Sequence, residues 1–402
     1  MTSFSANGRT YAAPDRPIVV ICLDGSDEAY LDAASARGMI PNIDRLSNDG
    51  FRGQARGALP SFTNVNNSCI VTGVPPAITG ISGNFFLDPE TGEEVMMNDA
   101  SFLRCETILA AASRSGIRVV AVTAKEKLRN ILSHGWTGIA FSSETAGQAK
   151  ADTHGIDDVE LLVGEPTPEI YSGDASLYVL KAGVSLIEHD LADFLYLSTT
   201  DFIQHAFAPE ETGALDFYTS VDLQIGRLLK TGAAICLTAD HGMNAKHDAS
   251  GDPNIIFLES VLAAEIGPGC RVVCPITDPY VVHHGALGAF VSVHVPEDKS
   301  VKEIASFIRT LEGVTEVYER SDAETQLELP GDRIGDLVVL SGRDIVIGRT
   351  PEDHDLSVLE GRLRSHGGRF EDTVPFLVSA PLKPEYLESA RNDLRNFDAF
   401  DF

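Results

Sequence analysis

Short runs of apolar residues that stop abruptly on a polar residue set the pattern of this chain. Pro17-Ile-Val-Val-Ile-Cys-Leu23, Arg118-Val-Val-Ala-Val-Thr-Ala124, Phe194-Leu-Tyr-Leu-Ser-Thr-Thr200 and Ala233-Ala-Ile-Cys-Leu-Thr-Ala239 have strand length and no polar alternation. Such runs predict strands buried on both faces of a sheet covered by helices. Longer stretches, Leu177 to His189 and Ala214 to Leu229, read as helices between them, which makes an α/β core with helices on both faces of a central sheet.

From about Cys270 the texture is denser. Gly288 to Val295, Val314 to Tyr318, Asp336 to Leu340 and Asp344 to Ile347 read as strands and Val301 to Leu311 as a helix. This predicts a small α+β cap inserted at 266–351, with 1–265 and 352–402 forming the core and Leu377-Val-Ser returning to its sheet. There is no internal repeat and no low-complexity linker.

What ends each run carries the chemistry, because ligands collect at the carboxyl ends of strands in such sheets. The first run ends on Asp24-Gly25, the third on Asp201-Phe-Ile-Gln-His205, and the fourth on Asp240-His241-Gly242. If the chain turns helical at Asp201, its carboxylate and His205, four residues on, point the same way. Late in the chain His366 stands in Arg-Ser-His-Gly-Gly, where the glycines leave the backbone room for close approach. Taken singly these are also the residues of turns and solvated loops. Together they supply six ligands, enough for two divalent cations.

Thr63 lies where a helix begins, with Asn64 onward helical in pattern. It suits an N-cap, and equally a hydroxyl at the positive end of a helix dipole. A threonine hydroxyl is a weak nucleophile, and direct coordination to a divalent cation is one of the few ways to activate it.

The order Asp24, Thr63, Asp201-x-x-x-His205, Asp240-His241, His366 resembles the alkaline phosphatase superfamily, and Thr63 to Asn84 is similar to its nucleotide pyrophosphatase/phosphodiesterase-like branch. The resemblance spans Ile18 to about Ser379. It implies that Asp201, His205 and His366 hold one zinc, and that Asp24, Asp240 and His241 hold another that also meets Thr63; manganese or iron could take the same ligands. It implies that Thr63 is the nucleophile and that Asn84 helps hold phosphoryl or phosphonyl oxygens, although Asn84 after Gly83 also reads as a turn residue. Two departures point away from a nucleotide diester: Thr79 stands where relatives usually have histidine, and Thr200-Asp201 and Gln204-His205 replace Pro-Asp and Gly-His.

Lys125 and Lys127 end the second run in a chain where acids outnumber bases 59 to 31. They resemble the lysines that receive a substrate carboxylate in this branch, and the alternative is a solvated helix start with Glu126 pairing locally. With His205 they complete the implied substrate contacts. The expected reaction is cleavage of the carbon–phosphorus bond of phosphonoacetate to acetate and phosphate through a phosphothreonine; hydrolysis of a phosphate monoester, diester or nucleotide pyrophosphate by the same site is the alternative.

The net charge of -28 excludes nucleic acid and anionic membrane as expected partners. A small anionic phosphonate is governed instead by local cations; a homodimer is compatible. Six cysteines in 402 residues are no disulfide framework. Cys22 and Cys236 read as buried hydrophobes, and Cys270 and Cys274 have no second pair to complete a zinc cluster. Met1 to Arg16 has no apolar core and no run reaches membrane-span length, so the cytoplasm is the expected compartment. His283-His284 in the insert reads as structural or solvated, with the cleft as its other place.

Overall fold

The computed structural model describes residues 3–277, 285–359, 362–382 and 384–401. Among them the largest sheet has seven strands, in the order Phe51–Arg56, Thr373–Val378, Ala234–Thr238, Ile18–Cys22, Phe194–Ser198, Val119–Thr123, Ile139–Ser142. The last five are parallel, while Thr373–Val378 runs antiparallel to both of its neighbours. The four apolar runs are therefore the middle of the sheet. Their side chains alternate between two hydrophobic clusters: Val19, Ile21, Leu195 and Leu197 on one face, Val20, Cys22, Phe194 and Tyr196 on the other. Continuous apolarity arises because each face meets its own helices.

On the first face Gly173–Glu188 and Thr212–Lys230 supply Val179, Leu180, Val221 and Ile225; on the second, Thr63–Thr72 and Glu126–Leu132 supply Val65, Ile70, Leu128 and Ile131. Burying each such side chain contributes roughly 1.5–3 kcal/mol, so both faces anchor the strand ends from which the polar residues project.

Between residues 271 and 341 lies a separate four-stranded antiparallel sheet, ordered Arg271–Val273, Phe290–His294, Leu337–Ser341, Val314–Glu319. It too is apolar on both faces. Val291, Val293, Leu337 and Val339 pack with Ile304 and Ile308 of the Val301–Ile308 helix, and Phe290, Val338 and Leu340 join the cluster that holds Phe62 and Val65. One side of this sheet is thus continuous with the core beneath Thr63. Leu258 and Leu262, from the Leu258–Glu265 helix, pack with the outer cluster. The Asp344–Ile347 segment forms its strand at Val346–Gly348, paired in parallel with Ile255–Phe257 outside the four-stranded sheet. The edge strands Phe51–Arg56 and Ile139–Ser142 and the hairpin Ser3–Ala6 with Arg9–Ala12 are additions that the apolar pattern did not reveal. Short or half-polar strands carry little periodicity.

Candidate active site

Asp24, Asp240 and Asp201 follow three adjacent parallel strands, so sheet register brings them together: Cys22 pairs with Thr238 on one side and Ser198 on the other. The Asp24 amide donates to Thr199 Oγ1 at 2.9 Å, tying two of these ends. Gly25 has φ +72°, and a Cβ there would lie 2.9 Å from that of Asp201. The turn after Asp24 therefore needs glycine both for its backbone and for the approach of the next strand end.

Two groups of ligand atoms result, Asp201 with His205 and His366, and Asp24 with Asp240 and His241, each within 4.8 Å. Asp201 precedes the Phe202–Ala206 helix, and His205 on that helix brings Nε2 to 3.1 Å from Asp201 Oδ2. His366 follows the four-stranded sheet in the chain. Gly367 beside it has φ +115°, and a Cβ there would strike the Phe62 ring at 2.4 Å.

All three imidazoles are held alike. Each directs Nδ1 at a backbone carbonyl, His205 at Arg364 (2.7 Å), His241 at Gly242 (2.9 Å) and His366 at Ser61 (2.7 Å). A carbonyl only accepts, so Nδ1 carries a proton and Nε2 is the nitrogen turned to the cluster. Asp24 Oδ2, fully buried, has no hydrogen-bond partner among the described residues. Three oriented imidazoles and three carboxylates, one of them with an orphaned buried oxygen, fit a pair of divalent cations.

Charge balance points the same way. Burial, reinforced by Asp201 and Asp240, pushes the Asp24 carboxyl well above the ordinary range. Burial also pushes Asp201 upward, but Lys125, His205 and His366 hold it well below that range. Burial lowers His241, yet Asp240 and Asp24 raise it to about 10. Burial, with His241 and His205, drives His366 well down. Crowded buried carboxylates of this kind are relieved by positive charge, which a bound cation supplies.

Thr63 is the first residue of the Thr63–Thr72 helix rather than its cap, which is Phe62 with no side-chain cap bond. The hydroxyl is thereby left to the site. It lies 3.4 Å from Asp24 Oδ1 and 3.4 Å from His241 Nε2. Thr63, Asn84, Lys125, Lys127, Asp201 and His366 line one cleft. Asn84 Nδ2 donates to the Ile276 carbonyl in the insert at 3.1 Å, which leaves its second N–H for another acceptor.

Lys125 and Lys127 occupy the start of the Glu126–Leu132 helix, as the alternative reading of that segment had it, yet they face the site. Lys125 Nζ is 3.6 Å from Asp201 Oδ1. Glu126 turns away to Arg129, Ser142 and Thr145. A cavity of about 320 Å³ adjoins the cleft, sharing both lysines and adding Asn98, Tyr171 and Thr200.

Tyr171 and Asn67 were not apparent from sequence. Tyr171, at φ +53°, donates to Asp201 Oδ1 at 3.2 Å and lies beneath Lys125 Nζ, 5.1 Å from its ring centre. Nothing in its local pattern signals this, because the contact depends on packing of a loop. Asn67 donates to Asp240 Oδ2 at 3.0 Å; its only signal was its place one turn after Thr63. The six cysteines are unpaired. His283 and His284 lie outside the described residues.

A mostly parallel sheet whose strand ends gather two carboxylate–histidine clusters around a hydroxyl defines a hydrolase of the alkaline phosphatase superfamily. Residues 18–369 match the type I phosphodiesterase / nucleotide pyrophosphatase family, and the chain belongs to that family. The phosphonoacetate hydrolase of Sinorhizobium meliloti 1021, in complexes with phosphonoacetate and with phosphonoformate, is 45% identical, covers 99% of this chain and 97% of its own, and superposes with a TM-score of 0.95. Murine ectonucleotide pyrophosphatase / phosphodiesterase 5 shares the fold at 16% identity and a TM-score of 0.65, over 96% of this chain and 93% of its own. An uncharacterized pyrophosphatase/phosphodiesterase of Schizosaccharomyces pombe is 25% identical over 269 residues, 61% of this chain; the chain spans about half the length (47%) of that curated relative. No helix among the described residues is long and apolar enough to cross a membrane.

Proposed function

We propose that this protein hydrolyses phosphonoacetate to acetate and phosphate. The observation that carries the reading is that Lys125 and Lys127 line the same cleft as Thr63, Asn84 and His366. A phosphate ester needs cations only at phosphorus, whereas phosphonoacetate has a carboxylate that needs its own. The likeness to the Sinorhizobium enzyme supports the same substrate.

Two divalent cations, zinc by the donor set, would neutralise the phosphonyl oxygens and lower the pKa of the Thr63 hydroxyl. Asp201, His205 and His366 would hold one, and Asp24, Asp240 and His241 the other. Thr63 Oγ1 then gives up its proton to solvent and forms the bond to phosphorus as the carbon–phosphorus bond breaks. The electron pair passes to the methylene carbon and is shared with the neighbouring carboxylate, which Lys125 and Lys127 stabilise as its charge grows. A proton from solvent completes acetate. Water next adds to phosphorus, the Thr63 oxygen leaves and regains its proton, and phosphate is released. Asn84 directs its remaining N–H at a phosphonyl oxygen, and His205 bounds the substrate on the Asp201 side. Residues 266–351 act as a cap over a core of 1–265 and 352–402, a division supported by the separate four-stranded sheet.

Family membership favours one other substrate class, phosphate esters and diesters. Phosphate release from phosphonoacetate, methylphosphonate, a nitrophenyl phosphate and a nitrophenyl phosphodiester, with and without chelator, separates the two. Chelator-sensitive turnover of phosphonoacetate above all the others is expected; preference for the esters would move the protein to the ester-cleaving class. Thr63→Ala is expected to abolish turnover while both cations remain bound, and near wild-type turnover would overturn the nucleophile.

A further inference from the structure

Asn67 uses every hydrogen-bonding position of its side chain without touching solvent. Its Nδ2 donates to the Thr63 carbonyl and to Asp240 Oδ2, each at 3.0 Å. Its Oδ1 accepts from the Tyr196 hydroxyl at 2.6 Å and from the Ser198 hydroxyl at 2.8 Å. This inventory admits only one orientation. A reversed amide would set its oxygen against a carboxylate and a carbonyl, neither of which has a proton to give. Two hydroxyls on the Phe194–Ser198 strand therefore aim the amide N–H at Asp240.

The other Asp240 oxygen, Oδ1, accepts from the amides of Gly25 at 3.2 Å and His241 at 3.0 Å. Those two residues adjoin or belong to the same cation cluster. Among the described residues, Asn67 is the one side chain that hydrogen-bonds both the Asp240 carboxylate and the helix opened by Thr63. Thr63 and Asn67 are one helical turn apart, so a shift of Asp240 is transmitted to the nucleophile's backbone, and the reverse.

Resting on the two-cation reading, we infer that Asn67 is a positioning residue for the Asp24–Asp240–His241 cluster. It holds the Asp240 carboxylate in one rotation, with Thr63 in register, and contributes nothing to the Asp201–His205–His366 cluster. Partners that orient ligating carboxylates typically change cation affinity about 10- to 100-fold when lost.

Affinity can be read without turnover. The protein is stripped, loaded with cobalt(II), and titrated against a chromophoric chelator while the cobalt absorption bands are followed; Asp240→Asn and Asp201→Asn identify the band of each cluster. Asn67→Asp keeps the shape and the hydroxyl contacts but replaces the donor with a second carboxylate. Its expected result is a 10- to 100-fold weaker affinity and an altered band at the Asp240 cluster, with the Asp201 cluster within about twofold of wild type. Unchanged affinities, or equal losses at both clusters, would overturn the inference. If the variant fails to fold by circular dichroism, Tyr196→Phe decides: it removes one hydroxyl aiming the amide, and a selective severalfold loss at the Asp240 cluster is expected, no selective loss overturning the assignment. An Asp240→Asn protein that still binds two equivalents at wild-type affinity would sink the two-cation reading and this inference together; a normal response of that control beside an unaffected Asn67→Asp would sink this inference alone.

Discussion

The imidazoles of His241 and His366 lie face to face, with ring centroids 3.6 Å apart and planes 7° from parallel. Each belongs to a different ligand cluster, so the two clusters share a wall made of stacked rings. Two protonated imidazoles would repel in this stack, and His366 is the one driven to the neutral form, by burial and by its histidine neighbours. Loss of His366 therefore reaches both clusters. His366→Ala should weaken cation binding at the Asp201 cluster more than about 100-fold and at the Asp240 cluster severalfold. His205→Ala should affect the Asp201 cluster alone. Chelator competition measures both, and an Asp240 cluster indifferent to His366→Ala would refute the shared wall.

Lys125→Ala and Lys127→Ala should separate substrates rather than disable the enzyme. Each is expected to lower kcat/KM for phosphonoacetate about 10- to 1,000-fold, within the range found when a donor to developing charge is removed. A nitrophenyl phosphate lacks the carboxylate, and its hydrolysis should change less than about threefold in Lys127→Ala, whereas Lys125→Ala also loses the ion pair with Asp201 and should lower both activities, phosphonoacetate the more. Parallel losses on both substrates would show that the lysines serve the phosphorus end.

The Lys246–Glu371 pair joins the segments after the two histidines. Both side chains are fully buried, 3.0 Å apart, and Lys246 Nζ also donates to the Arg343 carbonyl at 2.7 Å. Glu371 accepts from Asn244 Nδ2 and from the Gly368 amide. Lys246→Met leaves a buried carboxylate without its cation and should cost about 3–5 kcal/mol. The urea midpoint should fall accordingly, with the slope unchanged. Lys246→Met with Glu371→Leu should recover part of the loss; equal midpoints for single and double variants would argue that the charges do not act as a pair.

His354 makes stability depend on pH. It is buried, its Nε2 accepts from the Arg349 amide at 2.9 Å, and its Nδ1 donates to the Gly285 carbonyl at 2.6 Å. Burial lowers its pKa from 6.5. Below the unfolded value of about 6.5 the unfolded chain binds a proton that the folded chain resists, so stability falls as pH drops from there toward the folded pKa. Above about 6.5 both forms are neutral and the contribution is fully present. The melting temperature should decline from about pH 7 to about pH 5, either side of the ordinary imidazole pKa, and more steeply in wild type than in His354→Gln. Parallel curves would exclude His354 as the titrating group.

What was legible in the sequence is the part that local chemistry dictates. Four apolar runs had to be central strands, because no other element buries residues such as Val19 and Val20 on opposite sides at once. The acids and histidines that end them had to gather at one edge, because parallel strands present the same end. The acids and histidines at these strand ends were therefore readable before any contact was known, while the place of His366 and the division into two groups rested on the family resemblance. The short edge strands were not, since Phe51–Arg56 is half polar and partly exposed and Ile139–Ser142 has only four residues, too few to show a distinct period.

Sequence alone determined which residues meet at the strand ends; only the tertiary structure decided how they are held. The stack of His241 on His366, the carbonyls of Arg364 and Ser61 that orient His205 and His366, Tyr171 beside Asp201 and the Asn67 amide on Asp240 all join segments far apart in the chain. A hydrogen bond fixes a direction only when both partners are already placed, and that placement comes from packing two sheets and their helices around a common core, which no local pattern encodes.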